Sequence, residues 1–326
     1  MANIKDVAQK AGVGIATVSR VINNSGYVKK ETREKVEKVI KEIEYVPNEI
    51  ARSMTLQKNK IVAFILPNIT HLFFGELSYY VEEELFEHGY KLMICNSSEQ
   101  ISKEIVYLEM LKNNRVDAVI LLTNNDVESL IEKDRPVVSF DRRFEDVPFV
   151  ASDNYKGGVM AAKKLLDKGC KKFMFIGDDA QGDSSPVVTE VTKRRLGFNE
   201  YLKSQGINDV VNIEYPLGNY IVSADYVRGL MSEHKDIDGI FAISDAAAAA
   251  VIEEIELSGK RVPEDVKVIG FDGGRSFLNL GKKISSIGQS PELIAKAICS
   301  TILNFYNEKP VENQIIPIYF YEGETT

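Results

Sequence analysis

The 326 residues carry 44% hydrophobic, 27% charged and 9% aromatic side chains and no tryptophan, a balance that excludes a disordered chain and leaves room for two or three domains. No apolar run approaches the ~18 residues that would span a bilayer, and Met1 to Gln9 alternate charged and apolar types, so neither an anchor nor a signal peptide is read and the cytoplasm is the expected compartment. Cys95, Cys170 and Cys299, odd in number and far apart, speak against a disulfide framework and a zinc site.

The net charge of -8 is unevenly spread. Residues 1–60 hold 12 Lys and Arg against 7 Asp and Glu, a net +5, and the remaining 28 basic and 41 acidic residues leave -13 on the rest. An acidic body would repel nucleic acid, whereas a basic head can meet phosphates; charge alone favours a merely solvated helical region, and spacing has to decide.

In chain order, Ile4, Val7, Ala8 and Ala11 follow i, i+3, i+4, i+7 and predict a helix that Gly12 stops in a left-handed turn. A shorter helix with Val18, Val21 and Ile22 on its apolar face follows the tight turn Gly12-Val13-Gly14, which is the spacing of a helix-turn-helix. Val36, Val39, Ile40 and Ile43 mark a third helix, which Pro47 breaks. The second helix turns Ile15, Ala16, Ser19, Arg20 and Asn23 away from its apolar stripe. In a major groove Arg20 can donate two bonds to a guanine edge and Ile15 can touch a thymine methyl, while Ser19 and Asn23 suit phosphates. Geometry alone leaves a purely structural helical hairpin open. Asn48 to Met54 is a short helix-compatible stretch, and polar Thr55 to Lys60 reads as a linker.

Beyond residue 60, apolar runs at Ile61 to Leu66, Ala118 to Leu122, Val137 to Phe140, Phe173 to Ile176, Ile240 to Ile243 and Val266 to Phe271 read as buried parallel strands. Helical patterns at Leu77 to Glu87, Lys103 to Leu111, Gly158 to Asp167, Arg195 to Lys203 and Asp245 to Leu257 alternate with them, which predicts a doubly wound α/β body. Its length is too great for one small sheet, so two lobes with a cleft are expected. Asn68, Asn96, Asp141, Arg142, Asp153, Asp245, Asp272 and Gln289 are read as strand-end positions, where open α/β sheets hold ligands. Their amides and carboxylates suit sugar hydroxyls, and Phe73 or Phe74 can cover an apolar sugar face. Taken singly, each strand-end Asp is more often a turn or cap residue. His71, His88 and His234 are isolated and read as surface or helix positions, and Asp178-Asp179 as a solvated loop. With no metalloprotease, phosphate-loop or nucleophile-elbow pattern, neither an enzyme, a metal nor a cofactor is expected.

The strings Ile4-Lys5-Asp6-Val7-Ala8, Ala11-Gly12-Val13 and Ala16-Thr17-Val18-Ser19-Arg20-Val21-Ile22-Asn23 resemble the headpiece of the LacI/GalR family of bacterial repressors. Tyr45-Val46-Pro47-Asn48 with Ala51-Arg52-Ser53 is similar to its hinge, and the likeness continues through Phe73-Phe74, Asp141-Arg142, Ser152-Asp153-Asn154, Arg194, Ser244-Asp245, Gly270-Phe271-Asp272 and Gln289. Gly14 departs from the family's usual Ser, and Met54 from its usual Leu. The resemblance implies a multidomain chain. An all-α helix-turn-helix head spans 1–46, a hinge helix and linker 47–60, and a two-lobed α/β effector-binding and dimerisation domain, like the periplasmic binding proteins, 61–326. It implies DNA contacts from Ile15, Ala16, Thr17, Ser19, Arg20, Asn23, Ala51 and Met54. Effector contacts are expected from Phe73, Phe74, Asn96, Asp141, Arg142, Asp153, Arg194, Asp245, Asp272 and Gln289. The expected partners are operator DNA, a small sugar or sugar phosphate, and a second copy of the chain, with no membrane. Asn68-Ile69-Thr70-His71, Glu83-Glu84-Leu85-Phe86 and Cys95-Asn96-Ser97 look like sucrose-operon repressors within the family. A global catabolite regulator with a phosphoprotein corepressor, a sugar-binding transport protein and an enzyme on the same body stay open as alternatives. No heptad helix follows the last strand, so a dimer is the expected assembly.

Overall fold

The computed structural model describes residues 2–45, 59–178, 189–215, 224–273 and 283–326. The chain divides into two compact units, Met1–Asn59 and Lys60–Thr326. In the first, helices α1 (Ile4–Ala11), α2 (Ile15–Ile22) and α3 (Lys30–Glu42) enclose one small core of Val7, Ala8, Ala11, Val18, Val21, Val36 and Val39. Asn3 caps α1 in a capping box with Asp6, which satisfies donors that a helix start leaves open. Gly12 ends that helix at φ 61°, as its position predicts, because a left-handed residue without a Cβ costs least there.

Gly14 sits at the N-cap of α2 in extended conformation with no side-chain cap, and a Cβ built on it meets nothing within 4 Å. Gly14→Ser is therefore expected to supply the missing acceptor and to stabilise the head by a few tenths of a kcal/mol. A thermal melt of the full chain followed by circular dichroism checks it; an unchanged or lower midpoint would mean that the serine oxygen does not reach the helix amides.

The second unit begins with β1 (Ile61–Leu66), α4 (Leu72–Glu87), β2 (Lys91–Asn96), α5 (Ile101–Lys112), β3 (Ala118–Leu121), β4 (Val137–Phe140) and β5 (Phe149–Ser152). It continues with α6 (Asn154–Asp167), β6 (Phe173–Asp178), α7 (Lys193–Ser204), β7 (Val210–Tyr215), α8 (Ala224–Glu233), β8 (Gly239–Ala242), α9 (Asp245–Leu257), β9 (Lys267–Asp272) and β10 (Ser285–Gly288). It closes with α10 (Pro291–Tyr306), β11 (Gln314–Ile316) and β12 (Tyr319–Tyr321). Two six-stranded sheets result, ordered β11-β5-β4-β3-β1-β2 and β12-β10-β9-β8-β6-β7. Among the described residues every paired strand of the first runs parallel, and in the second only β12 pairs antiparallel. Strand β1, between β3 and the edge strand β2, sets Phe64 opposite both Ile94 and Ile120, so apolar side chains stack across this part of the first sheet.

Each sheet is covered on both faces. Phe64, Leu66, Leu77, Val81, Ile298 and Ile302 fill one side of the first sheet under α4 and α10, and Ile65, Leu108, Leu111 and Leu121 fill the other. In the second lobe Phe173, Phe175, Phe198, Phe241 and Phe271 lock together with ring centroids 5.3–6.4 Å apart. Burying each such side chain contributes roughly 1.5–3 kcal/mol.

Helices α6 and α7 touch backbone to backbone. A Cβ on Gly158 would stand 1.9 Å from the Arg194 carbonyl, and one on Gly197 would stand 2.1 Å from the Tyr155 carbonyl. This reciprocal contact fixes where Arg194 leaves α7.

The chain crosses between the lobes three times: after β5, after β10, and between β11 and β12. Ser152 Oγ donates to Gln289 Oε1 at 2.6 Å, which joins the first two crossings. The amide of Asp153 donates to Ile316 O at 3.0 Å and joins the first to the third.

The two-lobed α/β body and the helical head agree with the sequence reading, with some differences in detail. Helix α4 starts at Leu72 rather than Leu77, and α6 at Asn154 rather than Gly158. Strand β2 has no range of its own in the sequence reading, although Leu92 to Cys95 is an apolar run that ends before Asn96; in the structure it is an edge strand with Lys91 and Ile94 exposed. Asp178 closes β6 instead of lying in a loop, and Asp179 falls outside the described residues. Among the described residues no helix is long and apolar enough to cross a membrane, and no group of three or more His, Cys, Asp or Glu is placed to hold a metal ion.

Candidate functional site

On the head, α2 presents Ile15, Ala16 and Arg20 to solvent, while Thr17, Ser19 and Asn23 are half-buried. Asn23 Nδ2 donates to Ser19 Oγ at 3.2 Å, so these two residues brace each other at the end of the helix. The Arg20 stem lies over Gly26, whose Cβ position is 3.6 Å from Arg20 Cδ and 3.8 Å from its Nε. Tyr27, 83% exposed just beyond that turn, is an aromatic that the sequence reading does not single out; its signal is a large ring in an otherwise polar stretch, Asn23 to Gly26. Ala51 and Met54 lie outside the described residues.

In the second unit the carboxyl ends of both sheets converge on one polar network. Asp141, directly after β4, accepts from Asn154 Nδ2 at 3.1 Å, and Asn154 Oδ1 in turn accepts from Arg194 Nε at 2.7 Å. Arg194 Nη1 donates to Ile243 O at 2.7 Å, and its guanidinium lies 3.5 Å above the Phe271 ring, so a cation is held in the interior by a carbonyl, an amide and an aromatic face. Asp272, the last residue of β9, accepts from Gln289 Nε2 at 2.8 Å. Its second oxygen stands 4.0 Å from His71 Nε2, which the opposite lobe supplies at the start of α4. Asp245 is buried at the first position of α9, where its Oδ2 accepts from the Gly273 amide at 3.1 Å. Gly270 makes room for it, since a Cβ there would fall 2.1 Å from Asp245 Oδ1.

Burial sets the charge states. It pushes the Asp141 carboxyl up to about 6 and that of Asp272 up to about 7, in both cases against the pull of Arg194. Burial first and Arg194 second push His71 down to about 4, so its imidazole is neutral at pH 7. Asp141 and Asp272 also hold positive φ, 55° and 112°, a conformation rare outside glycine and a mark of residues held in place by their surroundings.

The structure thus brings Asp141, Arg194, Asp245, Asp272 and Gln289 together with His71, Ser152 and Asn154. Other expected positions do different work. Asp153 caps α6 by accepting from the Lys156 amide at 3.2 Å, and Asn96 Oδ1 accepts from the Ile69 amide at 2.9 Å, which shapes the loop before α4. Phe73 is buried in the first lobe, stacked on Phe140 at 6.3 Å, whereas Phe74 is half-buried beside the His71 ring at 4.5 Å. Arg142 is buried, donating to Asn125 O and Thr123 O and lying 4.3 Å from the centre of the Phe144 ring, so it braces the first lobe. His71, expected at a surface or helix position, does start a helix, but its side chain is only 10% exposed. Its proximity to Phe73-Phe74 in the sequence is the available signal. His88 is exposed, as expected.

Residues 3–48 match the model of bacterial regulatory proteins of the lacI family, and residues 62–309 match a periplasmic binding protein domain. Over its whole length the chain is 39% identical to the ribose operon repressor of Halalkalibacterium halodurans, spanning 95% of that protein. It is 34% identical, again over its whole length, to the sucrose operon repressor of Streptococcus mutans, spanning 99% of it. Among solved structures, the lac repressor dimer bound to operator and the anti-inducer ONPF superimposes with a TM-score of 0.86 at 19% identity, over 100% of this chain and 99% of that one.

Proposed function

The chain belongs to the lacI family of bacterial regulatory proteins, and from that premise we propose that it is a homodimeric, cytoplasmic repressor of a sugar-utilisation operon whose hold on DNA is set by a small sugar in the interlobe cleft. The observation that carries this reading is the meeting of Asp272 from one lobe with His71 from the other, beside the Asp141-Asn154-Arg194 chain. A ligand bonded to both sides would change the relative weight of open and closed lobes, which is what coupling to a second site requires. The relatives that support it are named for ribose and for sucrose, so the likeness to sucrose repressors read from Asn68-Ile69-Thr70-His71 stands beside a ribose operon repressor of higher identity. The network is a binding site rather than a catalytic one. In the same reading Ala51 and Met54 join Arg20 in contacting operator DNA.

Arg20 tests the DNA half of the proposal. On a fragment selected from random sequence by the full chain, Arg20→Ala is expected to cost ~1–3 kcal/mol, and much less on unselected DNA, because a base contact discriminates whereas a phosphate contact does not. Fluorescence anisotropy at two salt concentrations separates the two kinds of contact. Equal losses on both DNAs would remove Arg20 from base reading.

A further inference from the structure

We propose that the ligand of the interlobe cleft is an uncharged, unphosphorylated sugar and that the cleft turns phosphorylated sugars away; this rests on reading the cleft as the effector site. A phosphate is usually held by cationic side chains or by the open amides at a helix start. Three of the helix starts are already occupied. Asp153 takes the Lys156 amide of α6 at 3.2 Å, Ser244 takes the Ala247 amide of α9 at 3.2 Å, and Ser290 takes the Leu293 amide of α10 at 3.4 Å. Helices α4, α5 and α7 have no side-chain cap, and at the start of α4 His71 looks onto the Asp272 carboxyl.

The cations are engaged as well. Among the described residues, Arg194 is bound to Asn154 and Ile243 O beneath the network, and Arg142 is turned into the first lobe on Phe144. Arg143 and Lys193 both pair with buried Glu190. The imidazole of His71 is neutral at pH 7 and brings no charge. Against these stand three carboxyl groups, Asp141, Asp245 and Asp272, with Asp141 and Asp245 buried and Asp272 14% exposed. Carboxyl oxygens accept from sugar hydroxyls, and the neutral His71 can give or take one such bond, whereas a dianion placed among them meets like charge in a medium that screens poorly.

The test is titration calorimetry of the full chain with ribose, fructose, glucose and sucrose, each beside its phosphate ester, at 0.15 M salt, a concentration at which exposed charges are screened beyond about 8 Å. One free sugar is expected to bind, and its ester to bind at least ~100-fold more weakly. An ester that binds as tightly as its free sugar overturns the inference. Asp141→Asn is expected to narrow the handicap of the ester by about tenfold, since one repelling charge is gone; an unchanged ratio would make the exclusion steric and overturn the electrostatic account. If neither sugars nor esters bind while operator binding persists, the sugar reading of the cleft fails, and this inference with it.

Discussion

Asp272→Asn is expected to silence the effector response and, at pH 8, to make the protein more stable. The native carboxyl is pushed up to about 7 by burial from its ordinary 3.8. A carboxyl raised in the folded state contributes stability that is full below about pH 4 and is lost as the pH climbs through 7, because the unfolded chain ionises first. At pH 8 the native protein therefore holds a poorly solvated charge. Asparagine keeps the acceptor that Gln289 Nε2 uses and tolerates positive φ, but carries no charge. Each tenfold change in an ionisation constant corresponds to about 1.36 kcal/mol, and after allowance for the partial exposure of this side chain the gain is about 2–3 kcal/mol at pH 8, vanishing by pH 4. Urea unfolding at pH 4, 6 and 8 reads it directly. His71 works in the opposite sense, since its lowered value contributes stability above about 6.5 that is lost as the pH falls through 4, so variant and native protein must be compared at each pH. A less stable variant at pH 8 would mean that the field of Arg194 outweighs burial. Loss of sugar binding in a chain that has become more stable would separate function from folding cleanly.

Arg194→Met is expected to destabilise the body by about 3–5 kcal/mol, the range for removing one partner of a buried charged network. Methionine fills much of the volume over Phe271, but Asn154 Oδ1 and Ile243 O each lose a donor. Asp141 and Asp272 lose the positive charge that opposes burial, so both carboxyl groups rise further and the loss deepens toward pH 8. Denaturation at pH 5.5 and pH 8 distinguishes the causes. An equal loss at both would assign the effect to hydrogen bonding and packing rather than to charge.

How far the sequence could be read depended on the kind of signal. The head was legible because its period-3.6 stripe and its glycine stop are local, and Val7, Val18 and Val36 need only each other to form a core. The central strands were legible as continuous apolar runs, since parallel strands covered on both faces carry no alternation. The three-residue strands β11 and β12 are too short to carry such a run and are held by their partners in the sheet. The site was legible in its carboxylates and Arg194, placed by family likeness, yet not in its division of labour. Asp153 follows one apolar strand and Asp272 closes another, and only the fold turns one into a helix cap and the other into a cleft residue. His71 escaped because its significance lies in a residue 201 positions away, Asp272, a distance no periodicity spans.

Three crossings tied to one another have a mechanical consequence. Two bodies joined by one strand of chain can swivel about any axis and slide apart by the slack of that strand. With the Ser152–Gln289 bond and the Asp153–Ile316 bond holding the crossings in register, most of those freedoms are removed and the lobes are left with little more than a single soft rotation. A ligand in such a body has one outlet for its binding energy. Inducer and corepressor would then differ in which way they push along the same coordinate, and a substitution at Ser152 or Gln289 would multiply the coordinates, blurring the message to the head even where the sugar still binds.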